Sequence, residues 1–107
     1  MLENFKKNRK KFKIVRFSKK EINNIMEIYS KKISIGEWKD YSIQFEKNFA
    51  MFAIHKSHAN FPEYKILKFS FKQDKYMLLR KNSIVLKSAF LKNLLSYLRK
   101  PNLKLIK

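Results

Sequence analysis

A six-residue segment, residues 36–41, combines residue types that could bind a ligand. It places the only tryptophan of the chain, Trp38, beside Lys39, with the acidic residues Glu37 and Asp40 on either side. An indole ring can stack on a base while a neighbouring ammonium group contacts a phosphate. The structural alternative is that Trp38 fills a corner between a helix and a sheet, while the two carboxylates satisfy local backbone donors. Both interpretations stay open at the level of sequence.

Metal binding and catalysis have weak support in the residue pattern. His55 and His58 are the only histidines, the chain has no cysteine, and no carboxylate pair lies nearby to complete a ligand set. A single glycine excludes a glycine-rich phosphate loop, and the serines have no evident general base. We therefore expect a protein that is not an enzyme and that uses no cofactor and no metal.

The balance of charge is the main indication of a partner. The chain has 26 Lys+Arg against 8 Asp+Glu, a formal net charge of +18. Such a surplus indicates a polyanionic partner, although the many Lys and Asn residues also fit an AT-rich genome, so codon bias accounts for part of it. The candidate nucleic-acid-binding residues lie in the N-terminal segment, at residues 38–39 and in the later strands: Lys6, Lys7, Arg9, Lys10, Lys11, Lys13, Trp38, Lys39, Lys68, Lys72 and Arg80.

The first secondary-structure element that the sequence predicts is a helix after Ser18. Ser18 and Glu21 have the spacing of a capping box, and Phe17 can pack on Ile22 as a hydrophobic staple. One apolar stripe follows at helical spacing: Ile22, Ile25, Met26, Tyr29 and Ile33. Gly36 occupies the position at which a helix commonly ends in a left-handed conformation.

Residues 41–56 have the alternation of a β-hairpin. A tight turn at residues 47–48 predicts the pairs Phe45–Ala50, Ile43–Phe52 and Tyr41–Ile54, all on one face. The opposite face contains Gln44, Phe49, Met51, Ala53 and His55. It is unusually apolar for a solvated surface, so either a second layer covers it or it binds a partner.

The rest of the chain predicts three more strands and a second helix. The apolar parity changes between Ile66 and Leu67, which indicates either a β-bulge or a strand that is buried on both faces. Turns are expected at residues 73–74 and 81–82. Ser88 is a candidate cap for a helix with Leu91, Leu94, Leu95 and Leu98 on one face; this helix ends before Pro101, and Leu103 and Leu105 are candidates for a short edge strand.

Together these elements predict an α+β fold, an antiparallel meander of about five strands with an N-terminal and a C-terminal helix packed on it. Residues 1–13 are expected to be a basic flexible arm, and residues 14–107 a single domain.

Several segments resemble a known family. The quoted stretches are 17–22 (FSKKEI), 36–43 (GEWKDYSI), 50–54 (AMFAI), 62–66 (PEYKI) and 84–87 (IVLK), with Tyr29 between the first two. Over roughly residues 14–107 the sequence is similar to an alphaproteobacterial domain-of-unknown-function family (family 2794). The Gly-Glu-Trp-x-Asp-Tyr motif is the most specific piece. The resemblance implies a bacterial cytoplasmic protein and leaves mechanism undefined.

The sequence therefore predicts a small basic protein that binds nucleic acid, RNA or a ribonucleoprotein rather than DNA, mainly through phosphate contacts. The alternative is a protein-interaction module that docks on an acidic protein partner through the apolar face of the hairpin. No apolar run is long enough to cross a bilayer, so a cytoplasmic location without a transmembrane segment is expected.

Overall fold

The computed structural model describes residues 14–56, 61–70 and 75–100. Within these ranges the elements are α1 (Lys19–Ser34), β1 (Asp40–Phe45), β2 (Phe49–His55), β3 (Tyr64–Phe69), β4 (Tyr76–Arg80), β5 (Ser83–Ser88) and α2 (Leu91–Arg99). The strands form one antiparallel sheet in the order β1-β2-β3-β4-β5. The predicted α+β meander with a helix at each end is confirmed.

Helix α1 begins and ends as its sequence predicts. The Ser18 hydroxyl accepts a hydrogen bond from the Glu21 amide at 3.1 Å, and the Glu21 carboxylate accepts one from the Ser18 amide at 2.7 Å. This capping box satisfies two amides that the first helical turn would otherwise leave without partners. Gly36 follows the helix with a φ of 78°, a conformation that costs glycine little because it has no Cβ.

The hairpin register is also the predicted one. Phe45 pairs with Ala50, Ile43 with Phe52 and Tyr41 with Ile54. A second two-residue turn joins β4 to β5, where Lys81 and Asn82 both have positive φ values of 48° and 67°. Such a turn has the twist that a tight antiparallel hairpin needs.

One face of the sheet, which we call the covered face, packs against both helices. Its central row crosses all five strands as Ile43, Phe52, Ile66, Leu78 and Leu86. Phe52, Ile66 and Leu78 are fully buried in a cluster that also contains Ile25 of α1 and Leu94 of α2. This cluster is the hydrophobic core of the domain.

Of the two interpretations offered for β3 the bulge is wrong, and the N-cap expected at Ser88 is wrong as well. The pairing of β3 is regular through Ile66 and Leu67, and the register shift lies at Leu78/Leu79 of β4 instead. The parity change in β3 arises because that strand has apolar residues on both faces. The stated alternative, burial on both faces, holds on the covered face at Ile66, whereas Leu67 and Phe69 on the opposite face are half-buried. Ser88 is the last residue of β5 and not the N-cap, which is Phe90.

Ser88 still supports the start of α2, because its buried hydroxyl accepts from the Phe90 amide at 3.0 Å and from the Asn93 side chain at 2.7 Å. The four leucines of α2 are buried as predicted. The turn expected at residues 73–74, Pro101, and the strand expected at Leu103 and Leu105 lie outside the described residues.

Neither of the helices in the described ranges has the length and apolar character that crossing a membrane requires.

Candidate nucleic-acid interface and the open face of the sheet

Trp38 lies in the corner between α1 and the sheet. Its side chain is only 4% exposed, and its ring centroid is 6.2 Å from that of Tyr29 and 6.1 Å from that of Tyr64. The indole therefore belongs to the core, as the structural alternative proposed, and its faces are occupied by protein. The adjacent Lys39 is exposed, and its amide donates to the His55 carbonyl at 2.7 Å.

Lys68 joins the sheet to the beginning of α1. Its ammonium group donates to the Glu21 carboxylate at 2.8 Å and to the Arg16 carbonyl at 2.9 Å. The phenol of Tyr76 donates to the other Glu21 oxygen. Lys68 is thus held inside the domain by a half-buried carboxylate, and this geometry favours a structural role.

These contacts shift two pKa values. Burial by itself would raise the pKa of Glu21, but the hydrogen bonds from Lys68, Tyr76 and the Ser18 amide outweigh it and hold that pKa below its usual value. Burial and the hydrogen bond to Glu21 raise the pKa of Tyr76. The carboxylate therefore stays ionised and the phenol neutral over a wide pH range.

Arg80 has a comparable internal partner at the opposite end of the sheet. Its Nε donates to the Glu63 carboxylate at 2.9 Å, and its guanidinium lies 5.8 Å from the ring centroid of Tyr64. The hydrogen bond to Glu63 raises the pKa of Arg80. The Glu63 carbonyl also accepts from the Lys81 amide at 2.9 Å, so this pair secures the β4–β5 turn.

A buried lysine of α1 completes the set of internal ion pairs. Lys32 donates to the Glu37 carboxylate and to the Lys100 carbonyl, both at 3.2 Å. Our sequence analysis missed it, although its spacing from the buried Ile25 and Ile28 places it on the same face of the helix. It ties the end of α1 to the residue that follows α2.

The predicted role of the remaining candidate residues in binding nucleic acid stays a prediction. Lys6, Lys7, Arg9, Lys10, Lys11, Lys13 and Lys72 all lie outside the described residues. The structure describes four of the candidate residues. Lys39 is exposed, whereas Trp38, Lys68 and Arg80 contribute to packing and internal ion pairs.

Three lysines lie at the same end of the sheet, where β1 begins and β2 and β4 end. We call Lys39, Lys56 and Lys81 the basic end. Backbone hydrogen bonds connect these segments. The Lys39 amide donates to the carbonyl of His55, the neighbour of Lys56. The Glu63 amide donates to the Ile54 carbonyl of β2, and the Lys81 amide donates to the Glu63 carbonyl. Lys39 and Lys81 are exposed and Lys56 is half-buried. None of the ion pairs between described residues involves them.

Two of the acids near the basic end are already paired with cations. Glu37 pairs with Lys32 and Glu63 with Arg80, whereas the Asp40 carboxylate accepts from the neutral Tyr41 amide at 2.8 Å and keeps its net negative charge. The positive potential of the basic end is therefore only partly offset by neighbouring carboxylates.

Besides the basic end, a second surface could bind a partner. It is the face of the sheet opposite the helices, which we call the open face. Its large apolar residues are Phe49, Met51, Leu67, Phe69, Met77, Leu79 and Ile84, and strand pairing places them side by side on β2 to β5. They lie outside the core cluster and are half-buried, except Ile84, which is 55% exposed. The hairpin alone predicted only Phe49 and Met51. The lengths of the later turns set the register of β3, β4 and β5, and this register would have placed the other residues on the same face.

Polar residues border the open face. Across the middle of the sheet the row runs Gln44, Met51, Leu67, Met77 and Lys87, so its two ends on the edge strands are polar. The next row is Ser42, Ala53, Lys65, Leu79 and Ile84. Lys75 lies beside Phe69, whose amide donates to the Lys75 carbonyl at 2.8 Å. An apolar centre with a polar, mainly cationic border is typical of a binding surface.

Among the described residues no cluster of three or more His, Cys, Asp or Glu side chains is arranged to hold a metal ion.

Fold and surfaces together define a small, strongly basic α+β domain with helices on one face of a five-stranded meander and an apolar opposite face. A family model described as "Protein of unknown function (DUF2794)" matches residues 15–95. The chain belongs to this family, which confirms the resemblance seen in the sequence. The match begins at the first buried residue of the core, Val15, and extends into α2. No curated protein matches the chain, and no solved structure does.

Proposed function

We propose that this protein is a small, non-enzymatic nucleic-acid-binding protein of the bacterial cytoplasm. We expect the partner to be RNA, either free or in a ribonucleoprotein, rather than DNA. Most of the affinity would come from contacts to phosphates, with weak preference for base sequence. The basic end is the single observation that best supports this proposal.

The distribution of charge supports it in two ways. The formal net charge is +18, and three of the carboxylates, Glu21, Glu37 and Glu63, are held in internal ion pairs of the described domain. Acidic side chains are therefore used to hold the fold together, whereas Lys39 and Lys81 project into solvent. Lysines of this kind attract a phosphate backbone at long range.

The proposal is tested by fluorescence anisotropy of labelled RNA and DNA strands over a range of salt concentrations. The test variant replaces the basic end (Lys39→Gln, Lys56→Gln, Lys81→Gln). The matched control removes the same charge from the two helices (Lys19→Gln, Lys20→Gln, Lys92→Gln). For single strands each lost phosphate contact should reduce the slope of log K against log salt by about 0.7.

We expect the basic-end variant to lose affinity and slope and the control to lose little of either. Equal losses in both variants would show that net charge alone determines binding. Absence of binding by the intact chain near physiological salt would overturn the proposal. A matched variant with the lysines and arginine of residues 6–13 changed to Gln measures the separate contribution of the N-terminal segment.

A further inference from the structure

The open face has no covering layer among the described residues, because α1 and α2 both pack on the covered face. We propose that the open face is a docking surface for an acidic protein whose apolar side chains cover its centre and whose carboxylates meet Lys65, Lys75 and Lys87. This inference does not depend on the proposed nucleic-acid function, because it uses the open face and not the basic end.

The composition of the open face favours a protein over a single-stranded nucleic acid. Bases stack on aromatic rings placed along the path of the strand. The two phenylalanines of the open face, Phe49 and Phe69, are strand partners at one end of the sheet, and the rest of its large apolar residues are aliphatic or methionine. Methionine and leucine adapt to apolar protein surfaces and offer no flat ring for a base.

The charges at the border favour an acidic partner over a second copy of the chain. In a two-fold dimer the same surface meets itself, so Lys65 and Lys87 would face the lysines of an identical border. Each copy also has a formal net charge of +18, which adds long-range repulsion. Carboxylates around an apolar patch on a different protein would replace both repulsions by attraction.

The border lysines are available for such contacts. The Lys87 side chain is exposed and makes no hydrogen bond or ion pair with other described residues, and Lys75 is likewise exposed. Lys65 donates to the Asn82 side chain at 2.9 Å, a neutral partner that a carboxylate can replace. Asp40 is an acidic residue at this border, and its carboxylate accepts a hydrogen bond from the Tyr41 amide.

The first experiment places a photo-crosslinking amino acid at Met77, in the centre of the open face, in the full chain expressed in its native cells. A matched chain has the same amino acid at Ser30, which is exposed on α1. We expect cross-links from position 77, in clear excess over position 30, to a segment of another protein that combines apolar residues with a surplus of Asp and Glu.

The second experiment measures the affinity of the cross-linked protein, purified, for charge-reversal variants of the full chain. Lys65→Glu with Lys87→Glu should weaken binding by about tenfold or more, since each border pair changes from attraction to repulsion. The control, Lys19→Glu with Lys92→Glu, makes the same change of net charge on the helices and should alter affinity by less than about twofold.

Four outcomes would overturn the proposal. Cross-links from position 77 to the chain itself would indicate self-association, and cross-links to RNA would indicate base stacking. No excess over position 30 would show that the face is unoccupied. Equal weakening by both charge-reversal pairs would show that the partner responds to net charge and not to the open face.

Discussion

The two faces of the sheet differ in what their apolar residues contribute. On β2, Phe52 lies on the covered face and is fully buried beneath the helices, whereas its neighbour Met51 lies on the open face and is half-buried. The same alternation holds for Ile66 and Leu67 on β3. One apolar face is enough to form the core of a two-layer domain. The apolar residues of the second face lie outside the core cluster of the described residues, and this difference is the basis of the docking surface proposed above.

The largest expected difference between the faces concerns stability. Phe52→Ala should lower the free energy of unfolding by about 3–5 kcal/mol, because it removes a fully buried ring and leaves a cavity. Met51→Ala should cost less than about 1.5 kcal/mol, because that side chain is already partly hydrated. Urea unfolding of both variants measures the difference, with Phe52→Leu as a milder replacement if Phe52→Ala does not fold. Equal losses at 51 and 52 would mean that the open face is covered in the free protein.

A smaller effect is expected at the margin of the covered face, where Glu21 contacts Lys68 and Tyr76. Glu21→Gln should cost about 2 kcal/mol at neutral pH, because it weakens the capping box and leaves the Lys68 ammonium group without its carboxylate. Unfolding measured by circular dichroism in denaturant provides the value. A change below about 0.5 kcal/mol would show that solvent replaces these contacts without loss.

The same group predicts the pH dependence of stability. The pKa of Glu21 is lowered from 4.5 in the folded protein, so its contribution is present above pH 4.5 and is lost as the pH falls through the lower folded pKa. The pKa of Tyr76 is raised from 10.0, so the folded state loses stability as the pH rises above 10. Unfolding curves against pH should show both losses, and Glu21→Gln should flatten them. An unchanged profile in the variant would contradict this assignment.

The smallest expected effect on stability comes from the centre of the open face. Met77→Gln should change the free energy of unfolding by less than about 1 kcal/mol, since the side chain is half-buried and outside the core. It should also reduce the fluorescence of a hydrophobic dye bound to the native protein, whereas Ser30→Gln on α1 should not. Loss of the fold in Met77→Gln would show that the open face contributes to the core.

The cations show how far a sequence pattern predicts a site. Lysine counts and spacing indicated a basic surface, but they did not distinguish Lys68, which is paired with Glu21, from Lys39, which is exposed. The partners are far apart in the chain, so only the packing of α1 against β3 brings them together. Lys32 shows the same limit, because its spacing indicates the buried face of α1 but not the Lys100 carbonyl that it reaches.

The sequence by itself determined the local elements and the closest pairings. The capping box at Ser18 and Glu21, the end of α1 at Gly36 and the hairpin register follow from short-range patterns, because hydrogen bonds within a few residues and two-residue periodicity fix them. Only the tertiary structure decided which face of the sheet the helices cover, that Trp38 is a core residue, and that apolar residues of four strands form one continuous open face. Those outcomes depend on contacts between residues that are distant in the chain, and no local pattern specifies which of two apolar faces receives the helices.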